Sequence, residues 1–134
     1  MRRNGSHPRW NGAVTDALAL VGRLLLAALM LAGTAQKLAA PDGAQALLAL
    51  ASLPGWLIWP AMLFTALAGL GIALGIATRP LAIAAAAYCI ATSYFHYLLG
   101  DDPWQITIAF KNWIIAGGYL MLAAHGPGRF ALRA

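Results

Sequence analysis

A chain of 134 residues that is 61% hydrophobic and only 10% charged, with a mean hydropathy of +0.71, is not built as a soluble domain, since such domains carry about 25% charged residues. Its nine Lys and Arg outnumber its four Asp and Glu, for a net charge of +5. These bases stand at the ends of apolar runs rather than in a patch, which speaks for membrane anchoring and against nucleic acid as a partner.

The first apolar run covers residues 17–38, close to the roughly 20 residues a helix needs to cross the hydrocarbon core. A cleaved signal peptide is its rival reading, with Gly33-Thr34-Ala35 as a small-residue site, but Arg23 interrupts the apolar region. Residues 42–52 are apolar but too short to cross. They predict a helix at the interface or dipping into the bundle mouth, with Asp42 as its cap. Further spans follow at 57–77, 81–99 and 104–124, divided by Leu53-Pro54-Gly55, Thr78-Arg79-Pro80 and Gly100-Asp101-Asp102-Pro103. Pro80 and Pro103 suit the first position of a helix, and Asp102 suits the cap before Pro103. Trp56, Trp59 and Trp104 mark one interfacial belt.

The expected fold is an all-α membrane protein, a four-transmembrane-helix bundle with one short interfacial or re-entrant helix between spans 1 and 2. Its parts are an N-terminal tail (1–15), the membrane domain (16–126) and a C-terminal tail (127–134). Gly71 and Gly75, Gly117-Gly118 and the alanines at 84–87 read as points of close helix approach. With four spans, Arg2, Arg3, Arg9, Arg79, Arg129 and Arg133 share one side, and Arg23 lies just inside it. The positive-inside rule places both termini in the cytoplasm.

The unusual residues collect in the other half of the bilayer. Gln36 and Lys37 close the first span, Thr65 lies about two turns into the second, and His96 ends the third above Thr92 and Ser93. Lys111 and Asn112 lie about two turns into the fourth. A lysine at the centre of a span costs about 2.5–3.5 kcal/mol to insert, so Lys111 is expected to face a bundle interior or a watery cavity. Lys37, closer to a helix end, can instead snorkel. Together these residues form a candidate cationic pocket in apolar walls, suited to a quinone-like head, an oxyanion or a lipid head group. Lys111 would neutralise negative charge there, and His96 would exchange protons.

Other chemistries fit the residues poorly. One cysteine, Cys89, cannot form an internal disulfide or a dithiol motif, and it reads as a small buried hydrophobe. His7, His96 and His125 are too far apart along the topology to share a haem iron. The spans hold no clustered Cys and His or paired carboxylates for a metal, no nucleophile with its base, and no phosphate loop.

Gly33-x-x-x-Lys37, Gly75-x-x-Thr78-Arg79, the late His96, Lys111-Asn112 and Gly126-Pro127-Gly128-Arg129 occur in this order over residues 22–132. In that pattern the chain resembles the DoxX family of small bacterial membrane proteins. The resemblance implies a four-helix bundle in the bacterial inner membrane. It also implies work as a subunit of a redox system, with quinone as the cofactor and a soluble or peripheral oxidoreductase subunit as a partner. A homo-oligomer is compatible with it. The competing expectation is a non-enzymatic membrane anchor, scaffold or lipid- and solute-handling protein, so whether the chain is an enzyme component stays open here. Many family members carry an acidic residue in the second span where this chain has Thr65. Lys111 would then need a ligand, a lipid, water or the Asp101-Asp102 turn as its partner. The ligand-binding residues expected are Gln36, Lys37, Thr65, His96, Lys111 and Asn112.

Overall fold

In a computed structural model, which describes residues 11–132, the chain is all-α. Helix α1 spans Gly12–Ala39, α2 Pro41–Leu50, α3 Ile58–Leu74, α4 Thr78–Tyr97 and α5 Pro103–His125, with a short 3-10 turn at Gly55–Leu57 leading into α3. The sequence expectations for residues 1–10 and for Arg133 lie outside the described residues.

Local chemistry sets most boundaries. The Asn11 side chain accepts from Ala13 N at 2.9 Å, so α1 begins at Gly12 rather than at residue 16. Pro103 opens α5 and Asp102 caps it, accepting from Trp104 N at 3.0 Å, as the sequence predicts. Two expectations change. Pro41 rather than Asp42 opens α2, Ala40 stands at the cap without a side-chain bond, and Asp42 sits in the first turn. Helix α4 starts two residues before Pro80, whose missing N–H falls among the donors that a first turn leaves unpaired anyway.

Three helical stretches, Gly12–Ala39, Gly55–Leu74 and Pro103–His125, are long and apolar enough to cross a membrane. Only 17%, 28% and 17% of their apolar windows are buried within the chain, so most of their surface is left for lipid. Helix α4 has the length, 20 residues, but Thr78, Arg79, Thr92, Ser93 and His96 dilute its apolarity. It lies along α5 and is compatible with the fourth span. The protein is an all-α membrane protein.

The bundle is two close helix pairs, α1 with α3 and α4 with α5, joined by α3–α4 and α1–α5 contacts. Small residues permit that closeness in lipid, where packing rather than hydrophobicity drives association. Ala82, Ala85, Ala86 and Cys89 on α4 meet Ala116 and Tyr119 on α5, with Ala27, Met30 and Ile72 completing the core. Buried Cys89 is the small hydrophobe expected. Tyr119 donates to Leu26 O at 2.6 Å and ties α5 to α1.

The expected glycine devices hold at Gly71 and Gly118, and Gly69 adds another. A Cβ on Gly69 would stand 2.8 Å from the Leu31 side chain and 3.2 Å from its backbone nitrogen, so Gly69 is where α3 meets α1. Gly71 faces Leu81 of α4, and Gly75 ends α3 in the left-handed conformation (φ 75°) against Ala131. Gly118 lies against Leu26, whereas Gly117 opens on free space.

The start of α1, the α3–α4 turn and the end of α5 form one end of the bundle, the termini end. The end of α1, α2, the 3-10 turn and the α4–α5 turn form the other, the distal end. Trp56, Trp59 and Trp104 are all exposed at the distal end.

Candidate functional site

Under α2, the distal half of the bundle surrounds a partly open cavity of about 760 Å³. Helical periodicity selects its walls. Met30, Gly33 and Lys37 line it from α1, Ile58, Ala61 and Thr65 from α3, and Cys89, Thr92 and His96 from α4, each set spaced three, four or seven residues apart. Gln105 and Asn112, seven apart on α5, close the far side, and Ala44, Leu47 and Leu48 of α2 form a lid. This places a polar floor and rim inside walls that are mainly Leu, Ile, Ala and Phe.

Lys37 is the cation of the cavity. Its stem folds back one turn along α1, where Gly33 has no side chain to obstruct it, and Nζ donates to Gly33 O at 3.4 Å. The ammonium also stands 5.7 Å from the centroid of the Tyr88 ring, within cation–π range. One long hydrogen bond uses one of three donors, which leaves an electropositive group with donors for a ligand. Among the described residues, no carboxylate lines the cavity.

His96 is held on the opposite wall by Gln105, with Nδ1 2.7 Å from Oε1. An amide oxygen only accepts, so in this arrangement Nδ1 donates to Gln105 and Nε2 is the ring nitrogen left to meet a ligand. The site therefore offers an ammonium on α1 and an imidazole nitrogen on α4. The hydroxyls of Thr65, Thr92 and Ser93 are committed to structure. Thr92 bonds Tyr88 O at 2.9 Å and Cys89 O at 3.1 Å, and Ser93 bonds Ile90 O at 2.6 Å. Thr65 is buried, bonding Thr34 Oγ1 at 2.7 Å and Met62 O at 3.0 Å. At the position where a carboxylate was expected, the chain instead has a threonine pair that clips α3 to α1.

Of the six residues singled out by sequence, Gln36, Lys37, Thr65, His96 and Asn112 line this one cavity. Lys111 does not: it is exposed on the outer face of α5. The reason is geometric. Neighbouring residues on an α-helix point about 100° apart, so the face that carries Asn112, Ala116 and Tyr119 inward turns Lys111 outward. Lys111 lies eight residues from Pro103, about 12 Å along the axis, from where a lysine stem reaches toward the distal interface. Sequence reasoning passed over Gln105 and read Tyr88 as a packing residue. The seven-residue spacing of Gln105 to Asn112 was the available signal for the first. The ring under Lys37 depends on α4 facing α1 across the cavity, which no local pattern encodes.

The model of the DoxX family, described as DoxX, matches residues 18–98. The chain is also 27% identical over 117 residues to the inner membrane protein YqjF of Escherichia coli (strain K12), covering 87% of this chain and 90% of YqjF. No solved structure matches the chain.

Proposed function

The chain belongs to the DoxX family, and we propose that it is an integral membrane subunit of a redox system that binds a quinone-like amphiphile in the distal cavity. The observation that carries this reading is a roomy apolar chamber with the Lys37 ammonium held over Tyr88 and the His96 imidazole across from it. A ligand with an apolar tail and a head bearing carbonyl or hydroxyl oxygens matches that layout. Lys37 would donate to a carbonyl or anionic oxygen, and His96 Nε2 would accept from a hydroxyl. Gln36 and Asn112 add amide groups at the wall. In this reading a peripheral oxidoreductase subunit completes the system.

The name of its relative YqjF supports placement in a bacterial inner membrane. Arg23, Arg79 and Arg129, gathered at the termini end, support an orientation with both termini in the cytoplasm. The cavity is only partly enclosed, which favours as second reading a non-enzymatic module that holds a lipid or solute there.

A short-tailed benzoquinone added to the purified full chain separates the two. The redox-subunit reading expects saturable binding that Lys37→Met weakens at least tenfold, as loss of one charge-assisted hydrogen bond of about 1.5–3 kcal/mol requires. Absence of saturable quinone binding, with phospholipid recovered from the cavity instead, would replace it by the second reading.

A further inference from the structure

At the termini end, Arg23 is 3% exposed and makes three bonds, all to backbone carbonyls: Pro127 O at 2.7 Å, Phe130 O at 2.6 Å and Ala73 O at 3.2 Å. Ala73 lies next to the last residue of α3, whose final carbonyls have no partner within the helix. These bonds fold the segment after α5 against α1 and α3, and Leu132 N donates to Leu74 O at 2.9 Å to hold it there. Carbonyl dipoles solvate the guanidinium without cancelling its charge. Its Nε is buried and has no hydrogen-bond partner among the described residues.

Beside this clasp lies a second cavity, of about 420 Å³, into which both Arg23 and Arg129 contribute. Its remaining wall is Ala73, Leu74 and the backbone turn from Phe130 to Leu132. Phe130, Leu132 and Leu74 are 53%, 73% and 45% exposed, so apolar surface flanks the two arginines where the helices leave the hydrocarbon. The charges around it are uneven. Arg79, at the start of α4, packs its guanidinium against Gly126, and Asp16, two turns before Arg23 on α1, is the one acidic residue at this end.

We propose that this second cavity is a binding site for an anionic phospholipid, with the phosphate between Arg129 and the Arg23 clasp and the acyl chains along Leu74, Phe130 and Leu132. Guanidinium forks suit phosphate oxygens, and an excess of arginine at the membrane surface attracts anionic head groups. The apolar flank selects a lipid over a free anion. A lipid seated there would also supply the counter-charge that the buried Arg23 lacks. The site is separate from the distal cavity and does not depend on what binds there.

Native mass spectrometry tests this on the full chain released from vesicles of equal phosphatidylglycerol and phosphatidylcholine. The expected result is preferential retention of phosphatidylglycerol. Arg129→Gln, a change at an exposed residue, should lower that preference about fivefold, the value of roughly 1 kcal/mol for one surface arginine. Lys111→Gln, at the opposite half of the bundle, should leave it unchanged, and so should excess inorganic phosphate. Equal retention of the two lipids, an undiminished preference in Arg129→Gln, or displacement of the lipid by inorganic phosphate would each overturn the proposal.

Discussion

The two ends of the bundle each place a positive charge inside an apolar protein, and they treat it in opposite ways. At the termini end, Arg23 spreads its donors over three carbonyls from two segments and closes the structure around itself. At the distal end, Lys37 has one long bond to its own helix and an aromatic face, in a chamber about 760 Å³ in size. A planar fork with five donors can be satisfied by backbone and serve as a clasp, whereas an ammonium on a flexible stem is a point charge left for a ligand. Burial of a cation therefore says little by itself. What distinguishes the two cations is how many donors the protein has already used: Arg23 is spent mainly as a clasp and leaves chiefly its charge to act on its surroundings, whereas Lys37 keeps free donors.

Removing the clasp should have the largest effect. Arg23→Leu abandons three charge-assisted bonds and leaves the Pro127 and Phe130 carbonyls without this donor. A loss on the order of 3–5 kcal/mol is expected in denaturant unfolding, against at most about 1 kcal/mol for Lys37→Met. Equal losses for the two would erase the contrast. Next comes ligand affinity, where the order reverses: Lys37→Met should cost about tenfold or more in quinone binding while the fold survives. Tyr119→Phe removes a 2.6 Å bond between α5 and α1 and should lower stability by about 1 kcal/mol or less, the usual value for one hydrogen bond inside a membrane bundle. Smallest is Lys111→Ala. Outside the cavity, it should change quinone affinity less than about twofold, which is under 0.5 kcal/mol.

Much of this architecture was legible in the sequence. Apolar runs, Pro103 with Asp102, and the short apolar segment after Pro41 gave the helices and the lid, because spanning length and capping are local properties. Depth was legible too, and it brought Gln36, Lys37, Thr65, His96 and Asn112 to one cavity. Facing was not legible for Lys111: adjacent residues 100° apart can share a cavity, as Gln36 and Lys37 do, or part from it, as Lys111 and Asn112 do. Long-range choices stayed hidden. Nothing near Arg23 announces that its partners lie at Ala73, Pro127 and Phe130, and a Gly71-x-x-x-Gly75 spacing does not tell a packing face from a C-cap. Thr65 is a comparable case: its bond to Thr34 exists because Gly69, one turn on, lets α1 and α3 approach closely.

In the proposed function Lys37, and not Lys111 exposed on α5, meets the ligand. Titrating a short-tailed benzoquinone into the purified chain and into its Lys37→Met and Lys111→Met variants tests that directly. The account predicts binding weakened at least tenfold by Lys37→Met and altered less than about twofold by Lys111→Met. Equal weakening by both, or a larger loss with Lys111→Met, would contradict it.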